Sequence, residues 1–192
     1  MKIVLATTSP YRVQAMKMAG IDFEAKSSNV EEKFEGRPNS PEELVKELSK
    51  LKAEAVAKDC PDSLVIGMDT VIHFDGKILE KPKSYEAAFE RLRNYSSGKK
   101  QELHTGITII NTKTDEVIQK VVKSLVNFRE ITEQEIKNYL EEDPRYNTYA
   151  FGYDPLGHLS STFIKNLEGD PNNIMHGIPI ATIVQMIREA QK

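Results

Sequence analysis

Asp69 and Lys81 are the residues whose types and spacing most clearly suggest chemistry. They lie in the stretch Val65-Ile66-Gly67-Met68-Asp69-Thr70-Val71-Ile72-His73-Phe74-Asp75-Gly76-Lys77-Ile78-Leu79-Glu80-Lys81-Pro82. Two β-rich runs flank Asp75-Gly76, the dipeptide best suited to a two-residue type I′ hairpin turn. If Phe74 pairs with Lys77, then Thr70 falls opposite Lys81 and Asp69 opposite Pro82, so acid and base share one end of the hairpin. Strict alternation would then put Asp69 and Lys81 on opposite faces. For both to serve one ligand, the strand must bulge near Asp69, or Glu80-Lys81-Pro82 must leave the ladder. Pro82 cannot donate a ladder hydrogen bond, which favours the second. The pair is therefore expected to meet through a ligand and not in a direct salt bridge; the bland alternative is a purely structural ion pair. A carboxylate near the end of an apolar strand suits a general base or an oxygen ligand for a hard cation.

Other candidates are anion binders and metal ligands. Thr7-Thr8-Ser9-Pro10 leads into a helix, and Arg12 lies in its first turn, where free N–H groups already favour an anion. A cation there does not help the helix, which points to a phosphate cradle or else to a solvated surface arginine. Lys52 sits on the apolar stripe of a second helix, four after Leu48 and seven after Val45. It either snorkels or reaches into a phosphate site. Adjacent Glu31 and Glu32 offer oxygen to a hard cation, or are merely solvated. The four histidines, His73, His104, His158 and His176, show no paired metal-ligand spacing, and His73 reads as strand packing. No nucleophile elbow, Walker loop or dinucleotide fingerprint is present.

The elements that must position these groups follow from pattern. Lys2–Ala6 reads as a buried strand, with Ser9-Pro10 starting a helix to about Met18 that Gly20 ends. Asp22–Ser27 reads as a short strand, followed by a polar loop from Asn29-Val30-Glu31-Glu32-Lys33 to Asn39. Ser40-Pro41-Glu42-Glu43 opens a helix to about Lys58, with an N-cap, a first-position proline and a capping-box Glu. Its stripe is Leu44, Val45, Leu48, Leu51, Ala55 and Val56. Ser84–Tyr95 reads as a helix facing Ala87, Ala88, Leu92 and Tyr95 inward. Gln101–Asn111 and Val117–Phe128 read as a long hairpin, and Thr132-Glu133-Gln134-Glu135 as a capping box opening a helix to about Glu141. Asp143–Leu159 reads as an irregular loop rich in aromatics, Thr162–Leu167 as a last strand, Gly169–Asn173 as a turn and Ile178–Ala190 as a terminal helix. Crossovers at the front and hairpins in the middle indicate an α/β fold, a mixed sheet with helices packed on it.

The 192 residues fit one domain, or one domain with two lobes, and 39% hydrophobic with 29% charged residues is ordinary globular material. A net charge of −3 argues against a dominant nucleic-acid surface. A lone Cys60 excludes an intramolecular disulfide and suits a reduced, cytoplasmic chain. Met1–Ala6 is too short for a signal segment, and no run reaches transmembrane length, so no membrane partner is expected.

Taken in order, Leu5-Ala6-Thr7-Thr8-Ser9-Pro10-Tyr11-Arg12, Val30-Glu31-Glu32, Lys52-Ala53, Ile66-Gly67-Met68-Asp69-Thr70, Glu80-Lys81-Pro82, Thr105-Gly106 and Gly177-Ile178-Pro179 resemble the Maf family over nearly the whole chain. That resemblance implies an elongated, twisted mixed sheet flanked by helices, with a deep cleft, as in inosine triphosphate pyrophosphatases. It implies hydrolysis of a nucleoside triphosphate to the monophosphate and pyrophosphate with Mg²⁺ or Mn²⁺, in a single domain spanning 1–192, with a homodimer as a further family expectation. It assigns Ser9, Arg12, Lys52 and Lys81 to phosphate, Thr70 to substrate, Glu32 to metal or substrate and Asp69 to general base or metal ligand. Tyr11 beside Arg12, Phe128-Arg129-Glu130-Ile131-Thr132-Glu133 and Leu167-Glu168-Gly169-Asp170-Pro171-Asn172 resemble the branch acting on 7-methyl-GTP, in which Asp154 would meet the guanine edge. The branch acting on dTTP and UTP usually has two arginines after Ser-Pro and an Ala-Gly-x-Tyr-Gly-Ile-Gln-Gly motif, both missing here. Phe151-Gly152-Tyr153-Asp154-Pro155 also resembles inosine triphosphate pyrophosphatases. The family is further linked to septum formation, which leaves a non-catalytic nucleotide-binding regulator as a rival.

Overall fold

The chain forms a seven-stranded mixed sheet with helices packed on it. The computed structural model describes residues 1–32 and 35–192, so Lys33 of the polar loop lies outside the described residues. The elements are β1 (Lys2–Ala6), α1 (Pro10–Met18), β2 (Glu24–Lys26), α2 (Pro41–Ala57), β3 (Ser63–Phe74), β4 (Lys77–Leu79), α3 (Tyr85–Arg91), β5 (Lys100–Asn111), β6 (Glu116–Phe128), α4 (Glu133–Glu142), β7 (Ile164–Glu168), α5 (Pro171–His176) and α6 (Ile180–Ala190). The strand order is β2-β1-β3-β5-β6-β7, with β4 also pairing with β3. Strands β2, β1 and β3 run parallel, while β4 and β7 pair antiparallel with β3 and β6. No helix among the described residues is long and apolar enough to cross a membrane.

The chain divides into two compact units, one of Met1–Thr70, His104–Val122 and Asn172–Lys192, the other of Val71–Leu103 and Lys123–Pro171. In the first, strand alternation sorts the core onto two faces. Leu5, Leu64, Ile66, Met68, Ile107 and Ile109 pack with Ala15 and Met16 of α1 and Ile183 and Met186 of α6. On the opposite face Val4, Ala6, Val65 and Ile110 pack with Ala53 and Val56 of α2. The stripe of α2 lies slightly around from the expected one: Ser49 and Ala53 are buried, while Leu51 and Ala55 are only half-buried. Ser49 belongs there because its hydroxyl bonds Thr108 Oγ1 on β5 at 2.9 Å.

In the second unit the hairpin forms as its turn chemistry requires, with Asp75 at φ 47° and Gly76 at φ 74°. Phe74 pairs with Lys77, but the ladder stops at Ile72 and Leu79. The pairings of Thr70 with Lys81 and Asp69 with Pro82 do not form, since Glu80-Lys81-Pro82 leaves the ladder.

The aromatics read as an irregular loop are this unit's core. Phe128, Tyr139, Phe151, Tyr153 and Phe163 are buried, with the Tyr153 ring centroid 5.6–6.4 Å from those of the other four, and 3₁₀ turns form at Pro144–Thr148 and Leu159–Thr162. Three boundaries also move. The helix expected to reach Tyr95 is α-helical only to Arg91 and widens into a π turn at Leu92–Ser96, leaving Ala87 exposed. Pro171–His176 is a helix where a turn was expected, because Pro171 suits a first helical position and the segment is too short to show a periodicity. The terminal helix starts at Ile180, after Pro179.

The expected capping box on α4 is complete: Thr132 Oγ1 accepts from Glu135 N at 3.2 Å, and Glu135 Oε2 accepts from Thr132 N at 2.8 Å. Hydrogen bonds from Arg129, then from the Thr132 backbone, pull the Glu135 carboxyl down from 4.5 to about 2. A depressed carboxylate contributes stability above its unfolded pKa that disappears as pH falls through its folded one. Urea unfolding should therefore show a loss of stability between pH 4.5 and about 2 that Glu135→Gln removes. At neutral pH the variant should be less stable than the parent.

Candidate active site

The parallel β2-β1-β3 ladder delivers the candidate residues to its carboxyl edge. Ala6 of β1 is in register with Lys26 of β2 and with Gly67 of β3. Beyond that line β2 leads to Glu32, β1 to Ser9 and Arg12, and β3 to Asp69 and Thr70. Outside the carboxyl ends of parallel strands is where open α/β sheets bind ligands.

Glycine sets the next level of positioning. A Cβ on Gly67 would lie 2.1 Å from the Ser49 carbonyl oxygen and 2.6 Å from Ala53 N, and one on Gly106 would lie 2.1 Å from the Val45 carbonyl oxygen. Helix α2 therefore rests directly on the backbones of β3 and β5. Asp69 follows Gly67 by two residues and shares its face, so the helix that Gly67 admits carries Lys52 over Asp69. Lys52 Nζ lies 2.6 Å from Asp69 Oδ1 and 2.6 Å from Glu32 Oε1. Its side chain is only 13% exposed, which rules out the snorkelling reading. Gly67→Ala should force α2 off the sheet, costing about 1–3 kcal/mol by overpacking. A thermal melt should show a lower Tm, and kcat/KM should fall because Lys52 is displaced from Asp69.

Asp69 is buried, and burial pushes its carboxyl above the ordinary aspartate range; Lys52 and Arg12 oppose this and Glu32 adds to it. Buried carboxylates with raised pKa values beside specific charge partners are functional-site candidates.

On the other face of β3, Arg12 makes the arrangement rigid. Its Nη1 donates to the Met68 carbonyl, Nη2 to Thr70 Oγ1 and Nε to the Gly177 carbonyl, each at 2.9 Å. Thr70 Oγ1 also bonds Thr105 Oγ1 at 2.9 Å. Gly177 turns at φ +65°, a backbone conformation that favours glycine. Among the described residues these three bonds use three of the five guanidinium donors, so Arg12 is both a strap and a fixed cation with donors to spare. Burial lowers its pKa, while Asp69 and Glu32 raise it. Ser9 is the N-cap of α1, yet its side chain makes no capping bond, and its N–H donates to Thr7 Oγ1 at 3.1 Å. The hydroxyl thus stands at a helix N-terminus, where an anion is favoured.

Ser9, Arg12, Glu32, Lys52, Asp69 and Thr70 are brought together in the first unit. Lys81 and Asp154 belong to the second. Lys81 is exposed on the segment that leaves the hairpin, next to buried Pro82. Asp154 is buried, and its Oδ1 accepts from Leu156 N at 2.9 Å, a bond that shapes its own loop. Ser49, Thr105 and the carbonyl of Gly177 are contributors that residue-level reading missed. A glycine inside a strand, as at Gly67 and Gly106, was the available signal, because it marks close backbone approach.

The donor set suits a hard divalent cation. Glu32 and Asp69 each aim a carboxylate oxygen at one cationic centre, filled here by the Lys52 ammonium. Oxygen ligands of this kind are what Mg²⁺ and Mn²⁺ select.

Comparison with known proteins identifies relatives of the whole chain. A family model described as Maf-like protein matches residues 2–190. A Thermotoga maritima protein named dTTP/UTP pyrophosphatase is 39% identical over 98% of this chain and 89% of its own. A Nitrosococcus oceani protein named 7-methyl-GTP pyrophosphatase is 34% identical over 98% of this chain and 92% of its own. Among solved structures, the Staphylococcus aureus Ham1 protein superposes with a TM-score of 0.52 at 20% identity, covering 100% of both chains, a likeness of fold.

Proposed function

The chain belongs to the Maf family, and from that premise we propose that it hydrolyses a nucleoside triphosphate to the monophosphate and pyrophosphate, clearing modified or surplus nucleotides from the cytoplasm. The observation that carries this reading is the buried Asp69 held with Glu32 around Lys52 at the carboxyl edge of the parallel ladder. The family match runs through both units, so the chain is read as one domain of that family.

The roles follow from charge. A triphosphate needs several cations, and Arg12, Lys52 and the N-terminus of α1 with Ser9 supply them in the first unit. Lys81 has the phosphate-binding role that the family resemblance implies. Glu32 and Asp69 would hold Mg²⁺ or Mn²⁺, which when bound supplies Lewis-acid polarisation of phosphoryl oxygens. Asp69 orients the attacking water and takes its proton, a bond forms from that water oxygen to the α-phosphorus, and the bond to the bridging oxygen breaks to release pyrophosphate. With Asp69 as the base, kcat/KM should fall on acidification as that carboxylate is protonated.

Two base preferences compete. Tyr11 beside Arg12 and the Phe128–Glu133 and Leu167–Asn172 stretches favour 7-methyl-GTP; the name of the Thermotoga maritima relative favours dTTP and UTP. The test is pyrophosphate release with Mg²⁺ or Mn²⁺ across a panel containing 7-methyl-GTP, dTTP, UTP, ITP and XTP. Release from at least one supports the reading and ranks the bases. Binding without release from any would instead support a nucleotide-binding regulator.

A further inference from the structure

Arg91, at the end of α3, is a buried cation in the second unit that none of the roles above uses. It is 5% exposed, and its Nη1 donates to the Glu80 carbonyl and its Nη2 to the Ala150 carbonyl, the latter at 2.5 Å. Its Nε is buried with no acceptor among the described residues. A Cβ placed on Gly152 would lie 3.2 Å from Arg91 Cδ and 3.3 Å from Pro82 Cγ, and Gly152 has φ +79°. Arg91, Pro82 and Gly152 therefore form one close-packed contact.

Burying a guanidinium is costly, and leaving one donor unmet adds to the cost. An apolar side chain of similar volume would fill the space without that penalty. What such a chain could not do is hold two separate backbone segments at fixed distances from one point. Those segments matter, because Glu80 immediately precedes Lys81 at the point where the chain leaves the hairpin ladder. Ala150 opens the run through Gly152 to Asp154. Two forked donors on carbonyls define position and direction as a single lysine point charge does not.

We infer that Arg91 is a positioning residue that fixes the backbone carrying Lys81 and locks it to the Ala150–Asp154 segment, so that phosphate binding by Lys81 depends on Arg91. This rests on the proposed phosphate role of Lys81. Arg91 touches no substrate atom and acts through the Glu80–Pro82 segment.

The experiment is a double-mutant cycle of Arg91→Met with Lys81→Ala in the full-length protein. It measures kcat and KM for the best nucleotide of the panel, competitive inhibition by inorganic tripolyphosphate, and Tm. Arg91→Met should lower kcat/KM roughly tenfold in the Lys81 background and weaken tripolyphosphate inhibition in parallel. In the Lys81→Ala background the same substitution should change kcat/KM by less than about twofold, as expected for coupled neighbours. Equal losses in both backgrounds would show a merely structural role and overturn the inference, as would no loss in either. If Lys81→Ala alone leaves kcat/KM and tripolyphosphate inhibition unchanged, the phosphate role of Lys81 fails first and the inference falls with it. Should Arg91→Met not fold, Arg91→Lys carries the same cycle, because it keeps the charge but cannot span both carbonyls.

Discussion

Asp69→Asn is expected to lower kcat/KM by roughly 10²–10⁴-fold, the usual contribution of a positioned general base, while leaving Tm at pH 7.5 no lower than that of the parent. The two halves of this result have one cause. Burial raises the Asp69 pKa, so the folded chain holds that proton more tightly than the unfolded chain does. A carboxyl of this kind favours the fold at low pH, and its contribution declines as pH rises from the ordinary aspartate range through the raised value. At neutral pH the ionised group is therefore held against its own desolvation, and the neutral amide lifts that burden. Lys52 keeps Glu32 as its partner in the variant. A structural Asp69 would give the reverse pattern, a drop in Tm with little change in turnover. Initial rates and thermal melts on the same preparations check both halves.

Lys52→Met should be almost as damaging, lowering kcat/KM by roughly 10²–10³-fold, as found when one electrostatic donor is removed from a preorganised site. It carries a second signature. Lys52 is the largest influence holding the Asp69 pKa down, against burial and Glu32. Without it the two carboxylates lose the side-chain cation between them, and the Asp69 pKa rises further. The acidic limb of kcat/KM against pH should move to higher pH than in the parent. Lys52→Arg should restore the limb toward its parental position while recovering only part of the rate, since a guanidinium keeps the charge but cannot fit between two oxygens placed for an ammonium. An unmoved limb in Lys52→Met would mean that Lys52 does not control Asp69. Full pH–rate profiles of the three proteins provide the check.

Local signals in the sequence were read well because their physics is local. Asp75-Gly76 forms the hairpin turn, Ser40-Pro41 and Thr132 with Glu135 start helices, and Pro82 takes the end of the hairpin out of its ladder. Arg12 was visibly out of place in the first turn of a helix, but its use was not legible. One of its acceptors, Gly177, lies 165 residues away, and periodicity says nothing about such a partner. Lys52 was ambiguous for another reason: a snorkelling lysine and one reaching a carboxylate occupy the same stripe position, and only the close seat of α2 on Gly67 and Gly106 separates them. The aromatics from Tyr149 to Tyr153 stand on an irregular backbone without periodicity, so the pattern does not say what they contact; the rings build a core with Phe128, Tyr139 and Phe163. Arg91 was invisible, since nothing in the sequence distinguishes a buried arginine at a helix end from a solvated one.

The central claim is that Asp69 directs water onto the α-phosphorus of a nucleoside triphosphate. Its most direct test is a limited turnover of the preferred nucleotide in ¹⁸O-labelled water with Mg²⁺, with both products analysed by mass spectrometry. The account predicts one ¹⁸O in the nucleoside monophosphate and none in the pyrophosphate, with no label transfer above background in Asp69→Asn. Label in the pyrophosphate, or orthophosphate and a nucleoside diphosphate as the products, would contradict it.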